Sequence, residues 1–379
     1  MSVNCAICGA ALSNRIAGFE ALQRVTSDCK PYPAGGSIAE CGACGAVQKP
    51  GDAAWQADCD AIYGAYDNYS LTGGIEQSVR GGPDGQDYAP RSDLVLGAYD
   101  RAFGLPASGR MLDYGCGKGP TTRSAARILT GWTIDGYDLD RRAEDVLSAI
   151  PAFGSLFTGA PEDIPHRYDL IVLMHALEHI PDGPAVLAKL GRLLTPGGHI
   201  VVQVPNRIPN PFDLLVADHV VHFDPAALHG IARAAGLAPV VLAQDWVVKE
   251  LSLVAGQGAD VAQPEASGIS AQDQVSWLKA VASTVKDAAA KRPFGIFGTS
   301  IIGTWMASEL PAPPDFYLDE DPAKQGRAID GVPILAPDQA PTGAVIAPAM
   351  APQVARAVAQ RLQPLGLHFV DLPDAPAQA

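Results

Sequence analysis

The stretch Met111-Leu112-Asp113-Tyr114-Gly115-Cys116-Gly117-Lys118-Gly119-Pro120 constrains the fold of this chain more than any other. Two apolar residues run into an acid, glycines follow at alternate positions, and a helix-like segment, residues 121–129, begins at once. That order reads as a strand, a tight glycine turn and a helix N-terminus. Glycines in such a turn let the backbone pass close to a ligand without Cβ clashes. Asp113 falls where the strand ends and can accept hydrogen bonds or pair with a cation. By itself a Gly-x-Gly-x-Gly run is also compatible with an ordinary turn.

The flanking sequence narrows the reading. About twenty residues on, Trp132-Thr133-Ile134-Asp135-Gly136-Tyr137-Asp138 reads as a second strand ending in an acid, placed to chelate the two hydroxyls of a ribose. A third strand, residues 168–174, leads into His175-Ala176-Leu177-Glu178-His179-Ile180. After a helix, Leu194-Thr195-Pro196-Gly197-Gly198-His199-Ile200-Val201-Val202 gives a turn and another strand. Residues 93–103 read as a helix ahead of the first strand. Strands and helices that alternate in this way predict an α/β fold with a mostly parallel, doubly wound sheet covered on both faces. Ligands of such sheets bind at the carboxyl ends of the strands. That rule gathers Asp113, Gly115, Cys116, Gly117 and Gly119, then Asp138 with Leu139, Glu162 with Asp163, and Met174 with His175 around one pocket.

These residues resemble those of the class I S-adenosylmethionine-dependent methyltransferases. The resemblance rests on Asp-Tyr-Gly-Cys-Gly-Lys-Gly at 113–119, Asp138, Leu-Glu-His-Ile at 177–180 and Thr-Pro-Gly-Gly-His at 195–199, and spans residues 91–256. It implies a methyltransferase with S-adenosylmethionine as cofactor, Asp138 on the ribose, and Glu162 or Asp163 beside the adenine. Families of this class often carry an acid two positions before Glu162, where this chain has Ala160. Dinucleotide binding is the competing reading of the glycines; the Pro-Gly-Gly turn and the Leu-Glu-His segment argue against it.

With 379 residues the chain is long for one domain, and two or three are expected. Its 27 basic and 41 acidic side chains leave a net charge of −14, a poor match for nucleic acid or an anionic membrane. No apolar run reaches transmembrane length and no basic-then-apolar leader opens the chain, so the expected location is cytoplasmic. Near the N-terminus, Cys5-Ala6-Ile7-Cys8-Gly9 and Cys41-Gly42-Ala43-Cys44-Gly45 are matched knuckles. Each spacing lets two thiolates face one ion, so Cys5, Cys8, Cys41 and Cys44 predict a closed, structural tetrahedral Zn²⁺ site. Redox-active or disulfide-paired cysteine is the alternative, and the insert between the knuckles is long enough for a hairpin of its own. Cys29, Cys59 and Cys116 fit neither pattern. Between this module and the sheet, Tyr63, Tyr66 and Tyr69 recur every third residue, as a helix face that packs or as a lid over the pocket.

Beyond the fourth strand lies Phe212-Asp213-Leu214-Leu215-Val216-Ala217-Asp218-His219-Val220-Val221-His222-Phe223. His219 is the general-base candidate, because histidine titrates near neutral pH. Asp218 and His222 are placed to orient it or to contact substrate hydroxyls. The competing reading is a loop whose histidines cap the helix at 226–235. A hairpin-like region, residues 239–255, and a helix, 271–290, follow. Phe294-Gly295-Ile296-Phe297-Gly298-Thr299-Ser300 then repeats the strand-glycine-helix theme, and strands ending near Asp319 and at Val345-Ile346-Ala347-Pro348 complete a second, small Rossmann-like unit.

The whole chain resembles the three-domain bacterial sugar C-methyltransferases, with Asp-Pro-Ala-Lys-Gln-Gly at 321–326 and Gly-Val-Pro-Ile at 331–334 near that family's C-terminal signature. That family's Tyr-His-Glu-His motif aligns with Val216-Ala217-Asp218-His219: the last histidine is kept, the acid is Asp218, and the tyrosine is absent. A further family histidine aligns with His179. The implied division is a zinc-binding module at 1–60, a tyrosine-rich lid or linker at 61–90, the methyltransferase core at 91–256, a linker and helix at 257–290, and a C-terminal Rossmann-like domain at 291–379. The expected activity is C- or O-methylation of a small molecule, a nucleotide-linked sugar, with His219 as base. The alternatives are O- or N-methylation of a non-sugar metabolite, and a zinc-anchored protein that binds the cofactor without turnover. The sequence leaves the oligomeric state open.

Overall fold

The computed structural model describes residues 4–66, 76, 78–82 and 85–376. Tyr69 and the neighbouring end of the tyrosine-rich segment lie outside the described residues. The central sheet contains seven strands: β1 (Gly109–Tyr114), β2 (Trp132–Tyr137), β3 (Phe153–Phe157), β4 (Tyr168–Met174), β5 (Leu194–Pro205), β6 (Ala238–Ala243) and β7 (Glu250–Gly256). Their order is β3-β2-β1-β4-β5-β7-β6. Strands β1 to β5 run parallel. Strand β7 is antiparallel to both β5 and β6, with Leu253 opposite Val202 on one side and Leu242 on the other. The expected parallel sheet and the expected C-terminal hairpin therefore belong to one sheet.

The apolar runs explain the burial. Side chains alternate across a strand, and both faces of this sheet are covered, so the strands can be apolar throughout. Leu112, Ile171, Leu173, Ile200 and Val202 pack on one face with Leu187, Leu190, Leu228 and Ile231. Met111, Leu170, Val172 and Val201 pack on the other with Val95, Leu96, Tyr99 and Ala125. The helix Arg91–Phe103 supplies three of those partners and starts two residues before the expected position. The helix Pro120–Ile128 begins directly after the glycine turn, with proline at its first position, where the missing N–H costs nothing.

The cysteine-bearing segment has little regular structure of its own. Its short strands Asn14–Arg15, Ala39–Glu40 and Val47–Gln48 form a sheet whose fourth strand, Val221–His222, comes from the loop after β5. The expected hairpin in the insert is present, Arg24–Val25 against Pro31–Tyr32. Cys5, Ile7, Cys41, Trp55 and Cys59 share a hydrophobic cluster with Leu177, Val220 and Phe223. Phe19, Val25 and Ile38 share another with Phe212, Leu215, Trp277 and Trp305.

The helix Ala271–Ala288 buries Val275, Leu278, Val281 and Val285 in that second cluster, against Phe294 and Ile296. Strand Phe294–Phe297 runs parallel to Phe316–Leu318 and Val345–Pro348, as the sequence implied. Short strands at Ala328–Ile329, Val332–Leu335 and His368–Phe369 widen this second sheet to six. No described helix is long and apolar enough to cross a membrane.

Candidate active site

The glycine loop lies at the carboxyl end of β1. Gly115 has φ of 83°. Its N–H and that of Cys116 donate to the carbonyl of Tyr137, at 2.8 and 3.0 Å, which ties the loop to the end of β2. A Cβ at Gly115 would stand 2.9 Å from Cβ of Ala176, so the loop fits against the segment after β4 only with glycine. Gly119 caps the following helix with φ of 79°, and a Cβ there would strike Leu147 at 2.7 Å. At Gly117 a Cβ would meet nothing within 4 Å, so this rung faces open space.

Asp138 turns toward that open rung. One carboxylate oxygen accepts from Gly117 N–H at 2.7 Å, and the other from Leu139 N–H at 2.7 Å. Burial raises its pKa. Asp113 is 1% exposed and accepts from Thr122 Oγ1 at 2.7 Å; burial pushes its carboxyl up to about 7, against the pull of that bond. Cys116 faces the interior beside Leu147, Ile150 and Leu156, and burial pushes its thiol far up. Its side chain packs, and only its backbone belongs to the loop. Leu139 is 76% exposed. Glu162, expected beside the pocket, instead pairs at the surface with Lys189 at 2.8 Å, because the short turn Pro161–Asp163 sets it against the helix Gly183–Arg192.

At the end of β4, half-buried Met174 is followed by His175 in the left-handed region, φ 51°. His175 Nε2 lies 3.0 Å from Glu250, and Nδ1 lies 3.3 Å from Glu178. Arg91 donates to both oxygens of Glu250 at 2.9 and 3.0 Å, and Gln203 donates at 2.8 Å. Burial and Arg91 oppose a charge on His175, but Glu250 and Glu178 outweigh them and lift its pKa to about 9. Glu250 was missed in the sequence. Its signal is an acid opening the mostly apolar strand Glu250–Gly256.

The histidines lie on the neighbouring loop. His219 is 3% exposed, and its Nδ1 lies 2.8 Å from Asp213. His222 Nδ1 takes the other oxygen of Asp213 at 2.8 Å, while its Nε2 lies 2.9 Å from Lys49 Nζ. Lys49 also donates to the carbonyls of Val216 and His219, at 2.7 and 2.8 Å. Burial lowers its pKa to about 7. His222 is fully buried with both ring nitrogens engaged, so it cannot meet a substrate hydroxyl as expected. The acid that orients His219 is Asp213 and not the expected Asp218. Asp218 turns to Ser27 instead, accepting from its N–H at 2.9 Å and its hydroxyl at 2.5 Å. Burial opposes a charge on His219, yet Asp213 holds its pKa above the ordinary value.

His179 completes the group. Its ring stands at 89° to that of His219, with centroids 4.7 Å apart. Its Nδ1 lies 3.1 Å from the Tyr63 hydroxyl and 3.1 Å from the Asp218 carbonyl. His219 therefore does not stand alone; His179, more exposed, packs against it. Tyr63 belongs to the helix Ala53–Gly64, so the N-terminal part of the chain forms one wall of the site.

The cysteines converge as their spacing implied. Cys5 and Cys44 sulfurs are 3.6 Å apart, as are those of Cys8 and Cys41, and all four sulfurs lie within 4.8 Å of one another. Four sulfurs at about 2.3 Å from a tetrahedral zinc ion sit at about 3.8 Å edges, so the residues fit that ion.

A family model described as "Methyltransferase domain" matches residues 90–242. Residues 90–242 carry a methyltransferase domain. Among curated proteins, the ubiquinone biosynthesis O-methyltransferase of Proteus mirabilis (strain HI4320) is 31% identical over 144 residues, 34% of this chain and 56% of its own length. The protein of the same description from Ralstonia nicotianae (strain ATCC BAA-1114 / GMI1000) is 31% identical over 162 residues, 36% of this chain and 66% of its own. The chain thus spans under two thirds of the length of these relatives. Among solved structures, the SAH-bound form of CalO1, a methyltransferase in calicheamicin biosynthesis, is similar at 21% identity and a TM-score of 0.36, over 44% of this chain and 53% of that one. The matched domain contains the glycine loop, Asp138, His179 and His219; the cysteine module and the C-terminal sheet flank it.

Proposed function

We propose that this protein transfers the methyl group of S-adenosylmethionine to a hydroxyl oxygen of a small molecule. The observation that carries the reading is one edge of the sheet. The glycine loop and Asp138 lie at the ends of β1 and β2, and the His179–His219 pair follows β4 and β5 on the same edge. The curated relatives are O-methyltransferases by description, which favours oxygen over carbon or nitrogen.

In this reading Asp138 exchanges its bond to Gly117 N–H for the cofactor's ribose hydroxyls, and the open rung at Gly117 takes the cofactor chain. S-adenosylmethionine supplies an electrophilic methyl group when bound. The sheet edge holds the acceptor oxygen in line with it, since alignment of the reactants is a large part of catalysis in such transfers. His179 and His219 stand on the acceptor side. His179 covers His219, so the two act on the acceptor together rather than His219 alone. Cys5, Cys8, Cys41 and Cys44 would hold a structural zinc ion whose closed thiolate shell leaves no position for substrate.

A nucleotide-linked sugar is a second reading, favoured by the mostly parallel C-terminal sheet and by the packing of the cysteine module against the site. A methyl-transfer screen with labelled cofactor decides between the readings. Label on phenolic hydroxyls supports the first reading and label on a nucleotide-linked sugar the second. Tight cofactor binding with no transfer to either panel would favour a binding protein without turnover.

A further inference from the structure

Glu178 is 1% exposed, and among the described residues neither oxygen of its carboxylate has a hydrogen-bond partner. His175 Nδ1 forms an ion pair with one oxygen at 3.3 Å. A buried carboxylate held by one long ion pair can accept a further cation. Its carboxylate and one nitrogen each of His179 and His219 lie within 4.8 Å of one another.

The two imidazoles are prepared for a metal. His219 Nδ1 is held by Asp213 at 2.8 Å, and His179 Nδ1 by the Asp218 carbonyl and the Tyr63 hydroxyl at 3.1 Å. Each ring is thereby anchored through Nδ1, which leaves Nε2 for a ligand. A carboxylate or carbonyl behind each histidine is the outer shell that metal-binding histidines use. Three carboxylates, Glu178, Asp213 and Asp218, are buried together, with Lys49 and His175 as basic neighbours. The neighbouring trio Asp213, His219 and His222 is also compact, but its polar atoms are spent on one another and on Lys49.

We infer that Glu178, His179 and His219 form a binding site for one first-row divalent cation, separate from the cysteine cluster. Two imidazoles and a carboxylate suit such ions and leave coordination positions open. The side chain of His179 is 18% exposed, so the site is reached from solvent on that side. The consequence for chemistry rests on the methyltransferase reading proposed above. The acceptor's hydroxyl oxygen takes an open position, its O–H bond breaks and the proton leaves to water. The resulting alkoxide or phenolate forms the O–C bond as the C–S bond of the sulfonium breaks, and S-adenosylhomocysteine departs.

The test is a titration of metal-stripped, full-length protein with Co²⁺ alone. Wild type should take up two ions per chain, one with thiolate-to-cobalt charge-transfer absorption and one with weaker ligand-field bands only. Glu178→Gln and His179→Ala should each lose the second ion and keep the first, while still binding S-adenosylhomocysteine by calorimetry. Uptake of one ion by wild type, or of two by both variants, overturns the site. Should Glu178→Gln fail to fold, His179→Ala decides. If wild type takes up two ions but binds neither the cofactor nor its product, the methyltransferase reading falls and the metal site stands.

Discussion

Lys49 Nζ lies 2.9 Å from His222 Nε2, and through this contact the cysteine module grips the loop that carries His219. The grip is broad. Trp55 Nε1 donates to the Ala217 carbonyl at 3.0 Å, and Ala217 N–H donates to Val25 at 2.7 Å. Lys49→Met should therefore leave the Val216 and His219 carbonyls and His222 without their buried donor. We expect a loss of about 2–4 kcal/mol in urea unfolding, together with reduced turnover. A change within 0.5 kcal/mol, the ordinary range for an indifferent surface site, would mean that the loop holds its shape without the module.

The same contacts set the expected result of zinc removal. Chelation, or Cys41→Ser, should release one zinc per chain. It should also lower the melting temperature of the whole molecule in a single transition, because Cys5 and Cys41 share a hydrophobic cluster with the central sheet. Two separated transitions, with the core melting as before, would show that the module is an independent appendage.

Asp138→Ala should weaken S-adenosylmethionine binding by roughly 1.5–3 kcal/mol, the worth of hydrogen bonds to a charged group, and leave the melting temperature of the free protein nearly unchanged. Titration calorimetry on both proteins is the check. Equal affinity would remove Asp138 from the ribose.

Asp113 gives a pH dependence. Its folded pKa is raised by burial to about 7, above its unfolded value, so the folded state binds more protons between those two values. Stability contributed by the neutral form is then present at low pH and declines as pH rises toward and through 7. Asp113→Asn should flatten that decline in melting curves collected from pH 5 to pH 8. A variant with the same slope as wild type would assign the effect to other groups.

The sequence by itself determined the sheet, the glycine loop and the cysteine cluster. Each is written in short-range order: alternating apolar runs for β1 to β5, glycine where φ must be positive, and paired Cys-x-x-Cys knuckles that close on one point. Asp138 was legible for the same reason, as the acid that ends the second strand. Tertiary structure alone decided the partners of the histidines. Asp213, Lys49, Tyr63 and Glu250 come from four separate segments, and no local pattern marks which acid faces which imidazole. Asp218 adjoins His219 in sequence yet pairs with Ser27, because the turn at 217–218, closed by His219 N–H on the Val216 carbonyl, sends the two side chains to different partners. Glu162 faced Lys189 for a similar reason: a turn fixes a residue's position along the chain, while packing chooses the side on which its charge emerges.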